Sequence, residues 1–582
     1  MIFPAHRRHL IAALALLALV TVLLYHDALG ASWRADDGSH LGFVAWYAPW
    51  QYFFIPEVTR EFSTANVTPW NPFTYSVNLA LFGLRPAGFY AHQLASLWLA
   101  AVATLGLLRL WLPLRWALFG ALLFLVAAPS AHIANELMTG HYLEGLVFAI
   151  AAAWCFVMAL RKDSWRYALG GAAFYLLATT CKEIYVPLPA MLLLLPEADW
   201  RRRVRFLLPF GGVGVAYLGW RFVVLGRLLG GYGPGQPADG QAGALQQLAG
   251  IPFLLFGQGA LGYLALACAA MLAGWTLARQ PRWAPFVAVA AVMVIAPLVP
   301  LTAFPGIAFA DRYLFLVWWL AAALLAAALA SGAVPRRVSA AAALVILAGV
   351  SLHGRTELAL LRQLHAPYEA YLRFAVTSSE NDVLLVPANN RHYIRTILNG
   401  IVDAERSRHP DAPLRSRRFV DEQLLPLIDT SALRVFRYDP QCLCLQQLPA
   451  DASRPPADAV ARLRDRNFVV DVLPLAPPYR EIREIRASGG QVESIEVTGR
   501  GVTLQGRAPL RDDSLERWVI VGTPVMPTAR EVEPVPYSGF RIKLQYASDA
   551  DAARAGAALC VVAGSDRTAM TLLDNPKNPG CA

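Results

Sequence analysis

The sequence predicts a polytopic α-helical membrane protein of about 11 spans, followed by a soluble C-terminal α+β domain that ends in a β-sandwich-like unit. Three observations predict it. Hydrophobic residues make up 56% of the 582-residue chain and charged residues only 16%, against about 25% charged in a typical soluble protein. The charges also leave long gaps, with none between Asp239 and Arg279, between Arg282 and Asp311, or between Arg312 and Arg336. Each gap is long enough for a helix of about 20 apolar residues to cross a bilayer. Beyond residue 353 the pattern changes: polar helices near 356–376 and 390–408 precede alternating segments such as Val492–Val497 and Val502–Gly506. Period-2 alternation with glycine turns indicates antiparallel strands packed as a small sandwich.

The formal charge of +10 does not call for a nucleic acid. Its basic residues sit in short clusters between apolar segments, such as Arg7-Arg8, Arg161-Lys162, Arg201-Arg202-Arg203 and Arg336-Arg337. The positive-inside rule places such clusters in cytoplasmic loops. Spans then fall near 9–29, 89–108, 116–131, 143–160, 167–181, 184–197, 206–226, 250–277, 284–303, 313–332 and 338–353. The path starts inside and ends outside, so the tail lies on the far side of the membrane. The first segment has signal-peptide character, with a basic start and small residues Ala28 and Gly30 near its end; an uncleaved anchor is expected. Three parts follow: a membrane domain over 1–353 with a long first outer loop at 30–88, an α/β linker region over 354–479, and a β-sandwich-like domain over 480–582.

Trp33, Trp46, Tyr47, Trp50, Trp70 and their aromatic neighbours crowd that first outer loop. Such side chains favour the headgroup layer, so parts of the loop should lie as helices along the membrane surface. A second outer loop, Gly230 to Gly235, reads as flexible backbone, either a substrate gate or an idle linker. Cys442, Cys444, Cys560 and Cys581 fall in the tail, where an oxidising compartment would pair them; pairing of 442/444 with 560/581 is expected.

Ionisable side chains at a membrane are costly, so each is a functional candidate. Asp36-Asp37 follow the first span directly. Adjacent carboxylates there can raise one another's pKa or hold a divalent cation, and either state suits a general base; a solvated helix terminus is the alternative. Lys182-Glu183 stand at the outer end of the fifth span, where Lys could grip a phosphate and Glu a sugar hydroxyl, unless the two neutralise each other. Asp311-Arg312 are isolated at the outer end of the tenth span, and Arg312 suits a lipid-linked phosphate or simply snorkels. His132, Glu136, His141 and Glu144 have metal-ligating side chains at no strong metal spacing, and a helix-end hydrogen-bond network is the competing reading. A divalent cation, Mg or Mn, is the cofactor these groups would take, with Asp37, His132 and Glu136 as its ligands. No Walker motif, dinucleotide loop or Ser-His-Asp signature is present.

Four segments in order carry a resemblance: Asp36-Asp37 after the first span, Leu81-Phe82-Gly83-Leu84-Arg85-Pro86-Ala87-Gly88-Phe89-Tyr90, Cys181-Lys182-Glu183 with Pro187-Leu188-Pro189, and Ala310-Asp311-Arg312-Tyr313-Leu314-Phe315-Leu316. The chain resembles the GT-C superfamily of membrane glycosyltransferases, in its protein O-mannosyltransferase and TMTC-like branch. It departs from that pattern at Gly140-His141-Tyr142-Leu143-Glu144-Gly145, which lacks the family's Arg, and its tail has no tetratricopeptide repeats.

The resemblance implies an inverting transfer of a sugar from a polyprenyl-phosphate donor to a glycan, lipid or protein acceptor on the outer face. It makes Asp36 or Asp37 the base, with Asp37 preferred as the one farther from the membrane and closer to an incoming acceptor. It gives donor phosphate and sugar binding to Lys182, Glu183, Asp311 and Arg312, and His92, just inside the second span, joins them. Abundant Ala, Leu and Arg with few Lys suggest a high-GC bacterium, hence an inner membrane and a periplasmic tail. The partners expected are membrane lipids, the lipid-linked donor and the acceptor. An O-antigen ligase or polymerase would carry its large outer loop between late spans, whereas here it comes first. A lipid or polysaccharide transporter would show mid-membrane charges or internal repeats.

Overall fold

The computed structural model describes the chain except residues 1–3, 229–240, 304–311, 380–381, 387–396, 399, 402, 406, 409–417, 421–433, 450–466, 473–490, 508–517, 526, 536–538, 565–570 and 573–582. The Gly230 to Gly235 loop, Asp311 and Cys581 lie outside the described residues. The chain forms two compact units, one of Met1–Ala31 with Tyr47–Gln363 and the other of Ser32–Trp46 with Leu364–Ala582.

The first unit is helical. Its helices are α1 (Pro4–Tyr25), then α3 (Gln51–Phe54), α4 (Pro56–Phe62), α5 (Trp70–Phe82), α6 (Pro86–Leu108), α7 (Leu114–Leu125), α8 (Ala128–Asn135) and α9 (Gly140–Lys162); α2 (Asp37–Trp46) belongs to the second unit. There follow α10 (Trp165–Cys181), α11 (Leu188–Leu193), α12 (Trp200–Leu225), α13 (Gln241–Phe256), α14 (Ala260–Arg279), α15 (Ala284–Ile295), α16 (Phe315–Ala330) and α17 (Arg336–Thr377), within which the unit boundary falls. Among the described residues, eight helices are long and apolar enough to cross a membrane, or nine if the pair α7 and α8, bent by 58°, is one span. The chain is therefore a multi-pass membrane protein.

The count differs from the eleven read from the sequence because apolar runs are interrupted. Prolines at Pro187 and Pro189 leave 183–193 as a short apolar helix, since proline removes a backbone donor and crowds the preceding turn. Helix α10 has 17 residues and is not among the eight, while Gly257, at φ 85°, separates α13 from α14 so that the span read at 250–277 starts at Ala260. The motif around Gly83 is a helix junction: Gly83 ends α5 at φ 60° and Pro86 opens α6, the ordering that glycine and proline favour at helix ends.

Among the described residues the second unit holds three four-stranded sheets. Strands β1 (Asp382–Leu385), β2 (Arg418–Val420), β3 (Arg434–Asp439) and β4 (Cys444–Gln447) form a mixed sheet in the order β2-β1-β3-β4. Strands β5 (Asn467–Val472), β6 (Gln491–Thr498), β7 (Gly501–Arg507), β8 (Trp518–Thr523), β9 (Ala529–Val535), β10 (Gly539–Gln545), β11 (Cys560–Gly564) and β12 (Thr571–Leu572) form two antiparallel sheets, β6-β7-β10-β9 and β12-β11-β8-β5. Alternate residues Val502, Leu504, Phe540, Ile542 and Leu544 of one sheet share a buried core with Val519, Val521 and Val561 of the other and with Ala552 and Ala555 of α18 (Asp549–Ala558). A period of two turns every second side chain inward, which joins the two sheets face to face. Strand β5 reaches this pair of sheets from before residue 480, inside the segment read from sequence as a linker.

The cysteine pairing is corrected: Cys442 bonds Cys444, with Cα atoms 5.1 Å apart. They flank the tight turn between β3 and β4, where Leu443 takes φ 52° and Asp439 faces Cys444 across the ladder. That turn brings the two Cα atoms within disulfide range of one another.

Candidate functional site

In the membrane unit the candidate groups lie along one polar network. Helix α5 turns Asn71, Thr74, Tyr75 and Asn78 to one side, the spacing that lines a single helix face. With His92, Gln93 and Ser96 of α6 and with Glu144 of α9, they surround a small pocket. Glu144 is its centre. Trp70 Nε1 and Thr74 Oγ1 donate to Glu144 Oε2 at 2.6 and 2.7 Å. Glu144 Oε1 lies 3.3 Å from His92 Nε2, while His92 Nδ1 lies 2.8 Å from Asn78 Oδ1. An imidazole between two oxygens must be doubly protonated, face a protonated carboxyl, or meet an amide turned to donate. Gly145, the next residue along α9, lets that helix approach α10 and Tyr185: a Cβ there would stand 2.9 Å from that of Cys181.

Gln93 continues the network. Its Nε2 donates to Ile133 O at 2.7 Å and to Glu136 O at 3.2 Å. Glu136, which ends α8, carries its Oε2 3.4 Å from Arg312 Nη1, and the Arg312 guanidinium stacks 5.0 Å from the Tyr313 ring centre. On the opposite side Val67 N donates to Glu183 Oε1 at 2.9 Å, three residues before Trp70. Glu183 is ion-paired with Arg221 of α12, which is 5% exposed. Lys182 Nζ stands 5.3 Å from the Tyr142 ring centre.

The structure therefore brings Glu183, His92, Glu136 and Arg312 together through Val67, Trp70, Glu144 and Gln93, residues that are hydrogen-bonded or lie a turn apart. Arg221 and the α5 face were missed in the sequence. The signal was present as amides and hydroxyls at Asn71, Thr74 and Asn78, but aromatic neighbours drew the segment toward an interfacial reading.

Asp36 and Asp37 belong to the second unit, and their surroundings separate them. Asp37 is fully buried at the first turn of α2, where its Oδ2 accepts from Arg34 N at 2.7 Å. A carboxylate there closes the turn that precedes α2 by satisfying the Arg34 N–H, and it meets the positive end of the helix dipole. Arg34 pairs in turn with Glu369 of α17. Asp36 is exposed, one residue after Ala35, which is held at φ 42°. Helix α2 is set by a close crossing: a Cβ on Gly400, in helical residues of 397–408, would collide with Gly38 O.

Each residue expected to hold a divalent cation has another partner. Asp37 accepts from Arg34 N, Glu136 pairs with Arg312, and His132 Nε2 stands 3.6 Å from Glu357 Oε2. Among the described residues no group of three or more His, Cys, Asp or Glu is arranged to hold a metal.

No family model matches the chain, and no curated protein matches it. Among solved structures it is similar to ArnT from Cupriavidus metallidurans bound to undecaprenyl phosphate, at 16% identity over 74% of this chain and 93% of that one, with a TM-score of 0.41. It is also similar to the archaeal oligosaccharyltransferase AglB from Archaeoglobus fulgidus in complex with an inhibitory peptide and a dolichol phosphate, at 12% identity over 67% of this chain and 64% of that one, with a TM-score of 0.43. Likenesses this distant leave the activity of this chain to be argued from its own residues.

Proposed function

We propose that the protein is a membrane glycosyltransferase on the GT-C plan, moving a sugar from a polyprenyl-phosphate donor to an acceptor hydroxyl. The observation that carries this reading is the polar network of the membrane unit, which links three of the four sequence segments of the resemblance. His92 follows the Gly83–Pro86 junction, Glu183 follows the fifth predicted span, and Arg312 lies three residues before α16. The acceptor is a glycan, lipid or protein, and the tail lies in the periplasm of a bacterial inner membrane.

In this mechanism the acceptor oxygen attacks the anomeric carbon as the bond from that carbon to the phosphate oxygen breaks. The acceptor proton passes to Asp36, whose carboxylate is exposed, while Asp37 stays committed to its turn. The leaving polyprenyl phosphate takes the bonding electrons, and Arg312 and Lys182 oppose its growing charge. Asp37, His132 and Glu136 each have another partner, and no step runs through a cation.

The test is turnover of a radiolabelled polyprenyl-phosphate sugar by purified protein in nanodiscs. Asp36→Asn should lower turnover by about 10²–10⁴, the usual contribution of a general base, with insertion and thermal midpoint unchanged. Wild-type turnover in Asp36→Asn would overturn the assignment of the base.

A further inference from the structure

One end of the membrane unit carries charge that the proposed transfer does not use. Three stretches meet there: the turn between α6 and α7, the turn between α9 and α10, and the segment leading into α12. Arg161 Nη1 donates to Leu110 O at 3.2 Å, and its Nη2 stands 2.8 Å from Glu197 Oε1. Trp111 donates to the same Glu197 carboxylate. Arg202 and Arg205 reach Asp163 Oδ1 at 3.4 and 3.7 Å. These bonds tie the three stretches into one face.

Residues 109–116, 161–166 and 197–205 hold nine basic side chains against three acidic ones. All three acids are engaged, Glu197 and Asp163 in the pairs above and Asp199 in capping α12 by accepting from Arg202 N at 3.0 Å. Arg115, Arg166 and Arg201 are exposed and make no ion pair among the described residues. Arg115 lies 5.6 Å from the Trp116 ring centre and Arg201 6.0 Å from that of Trp200. Trp165 and Trp200 border the face at 39% and 62% exposure. Exposed tryptophan marks the depth of lipid headgroups, and unpaired arginine offers the charge and the donors that a phosphodiester accepts.

We infer that this face binds the headgroups of anionic glycerophospholipids through Arg115, Arg166 and Arg201. Positive charge that only set topology would need no particular lipid. Charge matched to headgroups makes the protein more stable in an anionic bilayer, and added salt weakens the effect.

The experiment uses the full-length protein in nanodiscs of phosphatidylcholine with or without phosphatidylglycerol. Phosphatidylglycerol should raise the thermal unfolding midpoint by on the order of 5 °C at low salt and less at high salt. The combined variant Arg115→Gln, Arg166→Gln, Arg201→Gln should unfold at the wild-type midpoint in phosphatidylcholine and lose most of that rise. Native mass spectrometry of the wild type should find phosphatidylglycerol enriched over phosphatidylcholine among retained lipids, a readout independent of whether the variant folds. No rise, no enrichment, an equal rise in the variant, or an equal rise from inorganic phosphate in phosphatidylcholine discs would each overturn the inference.

Discussion

Trp70 and Glu144 are joined by a 2.6 Å hydrogen bond from the indole Nε1 to the carboxylate Oε2, which fixes the first residue of α5 to the first turns of α9. Thr74 and His92 lean on the same carboxylate. Glu144→Ala would leave an indole N–H, a hydroxyl and an imidazole without the carboxylate they share. Stranding such groups costs about 2–4 kcal/mol. A fall of several degrees in thermal midpoint should follow, and a smaller one for Thr74→Ala, which removes a single donor. An unchanged midpoint for Glu144→Ala would show that the network is not holding these helices.

Arg221 and Glu183 make a second test of the same network from its other side. Arg221 has 6% and Glu183 22% of its side chain exposed, so each shields the other from an apolar setting. Arg221→Ala should destabilise by about 3–5 kcal/mol, because it leaves a carboxylate without its cation. The double variant Arg221→Ala, Glu183→Ala should be more stable than Arg221→Ala alone. Strict additivity of the two single changes would show that the pair is not coupled.

Much of this was legible in the sequence, and the limits have physical causes. Apolar runs located the helices, since a spanning segment needs little beyond length and the absence of charge. Their continuity was less legible, because Gly257 and the Pro187-x-Pro189 pair act through backbone geometry that hydropathy averages away. The strands at Val492–Val497 and Val502–Gly506 followed from strict alternation and lie within β6 and β7. Distance from the membrane favoured Asp37 over Asp36 as the base, whereas the turn at Ala35 buries Asp37 and leaves Asp36 exposed, a difference of backbone geometry that the sequence does not display. The cysteine pairing was hidden for a similar reason: an oxidising compartment implies disulfides without naming partners, and it is the β3–β4 turn that folds Cys442 back on Cys444.

In the second unit, Asp382 supplies a pH dependence. Burial alone would raise its pKa, but hydrogen bonds from Ser379 N and from Arg434, with the guanidinium charge, outweigh burial and hold it below the usual carboxylate range. A carboxyl whose pKa is lower folded than unfolded contributes stability above the unfolded value. That contribution fades as pH falls through the folded value. Protection factors against amide exchange in β1 and β3, corrected for the intrinsic pH dependence of exchange, should therefore fall on acidification below the ordinary carboxylate range. Asp382→Asn should exchange faster at neutral pH and show a flatter acid response. An acid response as steep in Asp382→Asn as in the wild type would assign it to other carboxylates.

Arg312 is the most exacting residue for the proposed transfer, because its guanidinium is already held by Glu136 at 3.4 Å. A donor phosphate must share or displace that carboxylate, so the two residues should have opposite effects. Arg312→Ala removes a charged hydrogen bond to the phosphate, for which a loss of about 1.5–3 kcal/mol corresponds to roughly 10–100-fold in kcat/KM for the donor. Charge grows on that phosphate as its bond breaks, so kcat should fall as well as KM rise. Arg312→Lys keeps the charge without the planar fork and should recover only part of the activity. Glu136→Gln keeps the shape but weakens the competing ion pair, so donor KM should stay level or fall while stability drops. A Glu136→Gln variant with raised donor KM and unchanged kcat would mean that the carboxylate aims Arg312 at the phosphate. An Arg312→Ala variant with wild-type kcat/KM would remove Arg312 from the donor site altogether.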